Sequence, residues 1–115
     1  MDWWINFFRD MDSLEIARSS AWYGEDIELR AGNEPAIFGK EAATAALGYV
    51  LQQLQALRHD LGTVVTSGND VFLECQVNYV FKDGRDVTVP AAAYFRRTDG
   101  AIRILHIFQH IPGLA

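Results

Sequence analysis

The chain has 115 residues, half of them hydrophobic, and a net charge of −5 from ten Lys and Arg against fifteen Asp and Glu. This composition predicts one domain, residues 1–115, with a sizeable core, and it lacks the clustered bases that a nucleic-acid-binding face needs. A membrane span needs ~20 apolar residues and a signal peptide begins with basic ones, and we find neither pattern. Cys75 is the only cysteine, so an intramolecular disulfide is excluded. We therefore expect a cytoplasmic protein with neither a membrane nor a nucleic acid as partner.

Two short helices are predicted at the start of the chain. Asp2 can cap the first helix. Its apolar face follows the i, i+3, i+4, i+7 spacing of one helix side, with Trp4, Phe7, Phe8 and Met11. Asp12 and Glu15 have the spacing of a capping box, which predicts a second helix from about Ser13. Helices this short need a surface to pack on, and a sheet is the only candidate.

Short strands, a long helix and four long strands follow. Residues 27–30 and 36–38 are extended and flank a turn rich in Gly, Asn and Pro. A helical pattern then leads from Gly39 to Leu57, and residues 58–67 are typical of a strand. Three further strands are predicted over residues 71–81, 86–97 and 101–111. An Asp-Gly pair in each of the two connections supplies the positive φ of a hairpin turn.

This order of elements predicts an α+β fold. We expect a cone-shaped, curved and mainly antiparallel sheet, with the three helices of the N-terminal half packed on its concave side. A cavity can remain between the sheet and the long helix. In the last two strands neither face is plainly polar, whereas a sheet with one solvent-exposed face shows regular alternation of apolar and polar residues. We therefore expect one face to line the core or cavity and the outer face to form a homodimer.

Several short motifs, taken in order, resemble those of a known family. They are Trp4-Ile5, Tyr23-Gly24-Glu25-Asp26, Gly32-Asn33-Glu34-Pro35, Asp83-Gly84-Arg85, Val89-Pro90-Ala91-Ala92 and Asp99-Gly100. Over nearly its whole length the chain resembles the SnoaL-like domains of the nuclear transport factor 2-like superfamily. The resemblance implies a cone-shaped α+β barrel, commonly dimeric, with an internal pocket. Members include polyketide cyclases, ketosteroid isomerases and limonene-type epoxide hydrolases, so the fold does not choose the reaction.

The catalytic carboxylates of these relatives are missing from the matching positions. The base of the isomerases would fall at Arg30 or Ala31, and their oxyanion-binding Asp at Ala92. The Asp that many SnoaL-like chains carry one residue later would fall at Ala93. The other matches are Phe7 for the isomerase tyrosine, Cys75, Val77 and Ile107 for the epoxide hydrolase residues, and His106 or Ile107 for the acid of the cyclases. The resemblance therefore implies a pocket without the relatives' buried acids.

If the pocket is catalytic, the predicted catalytic residues are His59 and Tyr94. His59 is either a general base near the pocket mouth, oriented by Asp60 or Asp26, or a histidine that caps the end of the long helix. Tyr94, like Tyr79, either offers a hydroxyl to a ligand or forms part of the wall.

Other side chains are predicted to line the pocket. The set is Trp22, Asn33, Phe38, Cys75, Val77, Tyr79, Phe81, Ala92, Leu105, Ile107 and Gln109. Gln109 would bond a ligand, Cys75 would act as a small buried hydrophobe, and Asn33 is chiefly a turn residue. We predict no metal site and no cofactor. His106 and His110 would lie ~13 Å apart on a strand, too far to share one ion.

Three functions remain open from the sequence. The first is cofactor-free cyclisation, isomerisation or hydration of a small apolar molecule of polyketide or terpenoid type. The second is non-catalytic binding of a small apolar molecule. The third is a partner-binding dimer whose cone is filled by bulky side chains.

Overall fold

A six-stranded mixed sheet is the frame of the protein. The computed structural model describes residues 2–109. The elements are α1 (Trp3–Asp12), α2 (Ile16–Ser20), β1 (Tyr23–Ala31), β2 (Ile37–Phe38), α3 (Lys40–Gln52), β3 (Leu54–Ser67), β4 (Asp70–Phe81), β5 (Asp86–Thr98) and β6 (Ala101–Phe108). The strand order is β2-β1-β6-β5-β4-β3. Strands β1 and β6 are parallel and the other neighbours are antiparallel, so the sheet is mixed and open, and the predicted α+β class is confirmed.

Helix α1 covers the sheet with the apolar face that was predicted for it. Trp4, Phe7, Phe8 and Met11 are all buried. The rings of Phe7 and Phe8 meet Phe95 of β5 edge to face, with centroids 5.5 and 5.7 Å apart. Such contacts contribute about 0.5–1.5 kcal/mol each beyond area burial, so they help to hold α1 against β5.

The predicted helix caps do not form. Asp2 occupies the N-cap position of α1, but its side chain makes no capping hydrogen bond. The capping box is also wrong, because Asp12 belongs to α1 and the second helix begins only at Ile16, after Glu15. The Asp12 carboxylate bonds β3 instead.

Within residues 2–109, no helix combines the length and the apolar character of a membrane span.

Helix α3 ends at Gln52, and the predicted continuation to Leu57 is wrong. Leu54 and Leu57 are both buried, but they belong to β3 and not to a helix. The register shifts between Leu54 and Ala56, so β3 has one extra residue there, a β-bulge. Because of this extra residue, two strand positions three apart reach the same face of the sheet. The bulge therefore reproduces the i, i+3 spacing of a helix.

The strand connections match the prediction closely. Gly84 and Gly100 both have positive φ in the turns that link β4 to β5 and β5 to β6. Strand β6 ends at Phe108, earlier than the predicted end at Ile111. His110 and Ile111 lie outside the described residues.

The cross-strand register shows which residues face the helices. Residues directly opposite each other on paired strands share a face. The concave face of β4 and β5 is built from the pairs Leu73 with Ala93, Cys75 with Ala91, Val77 with Val89, and Tyr79 with Val87. Leu105 and Ile107 continue this face on β6, opposite Phe95 and Ala93. The hydrophobic core lies between this face and α1.

Candidate functional site

A cavity of about 160 Å³ lies between the concave face of the sheet and helices α1 and α3. Three consecutive alanines of β5, Ala91 to Ala93, contribute to its wall and leave space because their side chains are small. Ala31 lines the cavity and is itself exposed, so the cavity reaches the surface beside the end of β1. The polar side chains in the wall are His59, Tyr79 and Gln109. Among residues 2–109 no carboxylate lines it.

Most of the predicted site residues line this cavity. They are His59, Cys75, Val77, Tyr79, Ala92, Leu105, Ile107 and Gln109. The period-two alternation of the long strands explains this agreement. Ala92 is a special case, because it lies opposite Glu74 and Phe108, which are both exposed on the outer face. We infer that Ala92 reaches the cavity through its main chain.

Four of the predicted pocket residues lie elsewhere. Trp22 packs among the aromatic residues of the core and donates its indole N–H to Asp10 over 2.9 Å. Asn33 is exposed in the turn between β1 and β2, and Phe38 is exposed on the edge strand β2. Phe81 is buried at the end of β4 but outside the cavity wall. The first three are not on long strands, so alternation could not place them.

Tyr94 lies on the outer face of the sheet, which corrects its predicted place in the cavity. It is opposite Phe72 on β4 and His106 on β6. Its ring stacks on Phe72 with centroids 4.6 Å apart, and its hydroxyl donates to Asp70 over 2.8 Å. Alternation separates the two faces of β5 but does not say which one is concave. Tyr94 is therefore not available to a molecule in the cavity.

Asp12 and His59 form a hydrogen-bonded pair at the cavity wall. Asp12 Oδ1 lies 2.5 Å from His59 Nδ1, and Asp12 Oδ2 accepts the backbone N–H of His59 over 3.0 Å. This backbone group is on the edge strand β3, and the carboxylate supplies its acceptor. The imidazole packs on Phe8 with ring centroids 4.5 Å apart, and its side chain is 8% exposed. The carboxylate holds hydrogen on Nδ1, which leaves Nε2 as the ring nitrogen with a lone pair.

The two predicted partners of His59 lie elsewhere. Asp60 pairs with Arg58 and Asp26 with Arg103, and both carboxylates are largely exposed. The alternative, a histidine that caps α3, is wrong because α3 ends at Gln52 and His59 lies within β3.

The sequence contains a pattern that indicates a buried or half-buried partner for Asp12. Asp12 follows Phe8 by four residues and Met11 by one, so it extends the buried face of α1 by one position. An acid at the edge of an apolar helix face needs a buried or half-buried partner. The capping-box spacing hid this signal, because it offered a local partner for the same residue.

Tyr79 and Gln109 form a second polar pair in the wall. The Tyr79 hydroxyl donates to Gln109 Oε1 over 2.8 Å. Burial raises the pKa of Tyr79 to about 12, although the hydrogen bond to Gln109 opposes this shift. The hydroxyl is therefore neutral at physiological pH and acts as a hydrogen-bond donor, not as a base.

Cys75 also faces the cavity, as a thiol. Burial raises its pKa to about 11, and the nearby Asp12 carboxylate adds to the effect. A thiolate is the nucleophilic form of cysteine, so Cys75 is unreactive near neutral pH. This agrees with the prediction that it behaves as a small buried hydrophobe.

Comparison with known proteins places the chain in a family. The family model of the SnoaL-like domain matches residues 4–105. The chain belongs to the SnoaL-like family. No curated protein sequence matches it.

SnoaL-like proteins and their structural relatives share this fold at low sequence identity. A protein of Catenulispora acidiphila with a ketosteroid isomerase-like fold, solved with trimethylamine, has a TM-score of 0.82 at 11% identity and covers 93% of this chain and 84% of its own. The LEH-like epoxide hydrolase of M. tuberculosis has a TM-score of 0.78 at 14% identity, over 90% and 77%. A Jannaschia sp. CCS1 protein, provisionally named a SnoaL-like polyketide cyclase, has a TM-score of 0.78 at 16% identity, over 91% and 81%. At these identities the likeness establishes the fold alone.

Proposed function

We propose that this SnoaL-like protein catalyses proton transfer on a small, mostly apolar molecule bound in the cavity, without a cofactor. The observation that carries the proposal is the pairing of Asp12 with His59 at the cavity wall. His59 Nε2 would take a proton from one carbon of the substrate and return it at another, which is an isomerisation. Asp12 would act as a positioning residue, because it sets the orientation and the tautomer of the imidazole.

The surroundings of the pair favour this role. General acid–base catalysis by a positioned side chain contributes typically 10²–10⁴-fold to a rate. Because the wall is nearly all apolar, a hydrogen bond or partial charge inside it is screened less than in water. Cys75 and Tyr79 stay neutral there, so neither competes with His59 as the base.

The size of the cavity limits the substrate. An engineered apolar cavity of about 150 Å³ binds benzene. At about 160 Å³, the cavity here is suited to a molecule of one ring or an open chain of similar size. The proposed substrate is therefore smaller than a fused-ring polyketide.

Deuterium exchange tests this proposal. A panel of one-ring ketones, enones and lactones is first screened by thermal shift, and each binder is then incubated in D₂O and followed by proton NMR. The wild type should exchange the acidic C–H of a binder, whereas His59→Gln and Asp12→Asn should lose most of this activity. His106→Gln is the matched control, because His106 also pairs with a carboxylate, Glu28, at 2.5 Å but is not part of the cavity wall. Equal exchange by wild type and His59→Gln would contradict the proposal.

The second candidate is a non-catalytic carrier of a small apolar molecule. The observation that favours it is the lack of any carboxylate in the cavity wall, within residues 2–109. A carrier should bind members of the panel, and His59→Gln should bind them as well as the wild type. No variant would then exchange deuterium above the rate in buffer.

We also propose that two copies of the chain associate through the outer face of the sheet. This face exposes three large apolar side chains, Val65, Phe72 and Phe108, which are 58%, 51% and 49% exposed. They lie on neighbouring or nearby strands of one surface, as expected for an interface. The lone cysteine suits the reducing cytoplasm that we propose as the location.

A further inference from the structure

The hydrogen bond between Tyr79 and Gln109 determines which donor a ligand can use. A tyrosine hydroxyl has a single hydrogen, and that of Tyr79 points to Gln109 Oε1 over 2.8 Å. The side-chain amide of Gln109 thus has its oxygen engaged, whereas its nitrogen Nε2 still has two hydrogens to donate. In the part of the chain from residue 2 to residue 109, no group accepts a hydrogen bond from this nitrogen. Gln109, which the sequence predicted to bond a ligand, therefore offers N–H donors, whereas the hydrogen of the Tyr79 hydroxyl is already engaged.

Gln109 and His59 reach the cavity from two strands that are not neighbours in the sheet. His59 is on β3 and Gln109 directly follows β6, with β4 and β5 between them. Three inter-strand spacings correspond to ~14 Å of curved sheet between the two backbones. Both side chains line the same cavity of about 160 Å³. A ring-sized molecule between them would meet a basic nitrogen on one side and an amide donor on the other.

The wall also excludes a charged ligand. Within residues 2–109 no Lys or Arg lines the cavity, so nothing there would compensate a bound carboxylate or phosphate. An unpaired ion in an apolar site costs several kcal/mol. The ligand should therefore be neutral.

The geometry points to a neutral carbonyl compound as the ligand, with its oxygen accepting a hydrogen bond from Gln109 Nε2 and with Tyr79 positioning this amide. The inference rests on the proposed function only for the place of the ligand in the cavity. It deepens that function, because the oxygen of a carbonyl gains negative charge when the neighbouring carbon loses a proton to His59. The Gln109 donor then stabilises the enolate oxygen, and the proton returns to a carbon of the same molecule.

A pair of matched probes tests the inference without measuring turnover. Cyclohexanone and methylenecyclohexane have nearly the same shape, but only the ketone has an oxygen acceptor. Calorimetric titration should show that Gln109→Leu weakens cyclohexanone binding about 2- to 10-fold, the worth of one hydrogen bond, and leaves methylenecyclohexane binding unchanged. Tyr79→Phe should weaken ketone binding less than Gln109→Leu does, because it only releases the amide that binds the ketone. Gln76→Leu is the matched control, because Gln76 lies exposed on the outer face of β4.

Infrared spectroscopy of carbonyl-labelled cyclohexanone gives a second readout. The C=O stretch of the bound ketone should lie at lower frequency in the wild type than in Gln109→Leu. Tyr79→Phe should give a broadened band, because the side-chain amide of Gln109 is then no longer held in one orientation. Equal binding of both probes by the wild type, or equal weakening of both by Gln109→Leu, would overturn the inference. A ketone that binds as expected but exchanges no deuterium would overturn the proposed catalysis and leave this inference standing. If neither probe binds, this inference fails, and the proposed function is then decided by the panel of ketones, enones and lactones alone.

Discussion

The substitution Asp12→Asn should reverse which ring nitrogen of His59 carries hydrogen. The backbone N–H of His59 needs an acceptor, and the Asn oxygen would supply it in place of Asp12 Oδ2. The Asn NH₂ group would then face His59 Nδ1, where Asp12 Oδ1 now lies 2.5 Å away. Because an NH₂ group only donates, Nδ1 must become the acceptor and the hydrogen must move to Nε2. His59 would lose the Nε2 lone pair that the proposed reaction needs.

The effect on stability should be modest, whereas the effect on rate should be large. Two hydrogen bonds to a carboxylate become two neutral ones, a loss of roughly 1 kcal/mol each, reduced because the Asp12 side chain is 24% exposed. We expect Asp12→Asn to lower the free energy of unfolding by about 1–2 kcal/mol, and Asp12→Ala, which removes both bonds, by about 3 kcal/mol. A wrong histidine tautomer costs a Ser-His-Asp triad about 10⁴ in rate, so we expect deuterium exchange to lose most of the roughly 10²–10⁴-fold contribution of the base.

Nitrogen NMR of histidine-labelled protein measures the tautomer directly. In the wild type, the ¹⁵N shifts of His59 should show hydrogen on Nδ1, and in Asp12→Asn they should show hydrogen on Nε2. His106, which bonds Glu28 through Nε2, should keep its shifts in both proteins and serves as the internal control. The same tautomer in both proteins, or a fully active Asn variant, would refute the role given to Asp12.

Three further predictions concern the cavity and the outer face. Ala93→Val adds two carbons inside the cavity and should raise the free energy of unfolding in urea by about 1–2 kcal/mol while it weakens ligand binding. Ala92→Val, the same change on the outer face, is the control and should alter the free energy of unfolding by less than about 0.5 kcal/mol. A lower free energy of unfolding for Ala93→Val would mean that the cavity has no free space beside Ala93. With its pKa raised to about 11, Cys75 should react with iodoacetamide at pH 8 about 100-fold more slowly in the folded protein than in guanidinium chloride, and equal rates would contradict its burial. Sedimentation should show a wild-type dimer at micromolar concentration and a monomer for Phe72→Lys with Phe108→Lys, whereas a wild-type monomer would contradict the proposed interface.

The fold could be predicted from the sequence where a regular period is decisive. The long strands alternate with period two, and Gly84 and Gly100 mark their turns, so residues such as Val77 and Ile107 were placed on the correct face. The end of α3 could not be found in the same way. A β-bulge at the start of β3 imitates helical spacing, and only the cross-strand register distinguishes the two.

The candidate site could be predicted only in part, because its polar pairs join distant segments. His59 was recognised as a candidate base, but its partner Asp12 lies 47 residues earlier and was explained locally as a cap. Tyr94 was assigned to the wrong face, since alternation does not say which side of β5 the helices cover. The hydrogen bond between Tyr79 and Gln109 joins residues 30 apart in the sequence, on β4 and just after β6, with β5 between them. No spacing rule contains this information.

The parallel pairing of β1 with β6 has a consequence for how the protein is made. It joins Tyr23 to Ile102, positions about 80 residues apart, and Gln109 follows only after this pairing. Because contacts of long sequence separation form late and slowly, a nascent chain on the ribosome would expose the apolar side chains of β1, such as Ile27 and Leu29, until β6 has emerged. We therefore expect the protein to depend on chaperones until β6 has emerged. A small molecule that binds in the cavity could stabilise destabilised variants only after β6 has paired with β1.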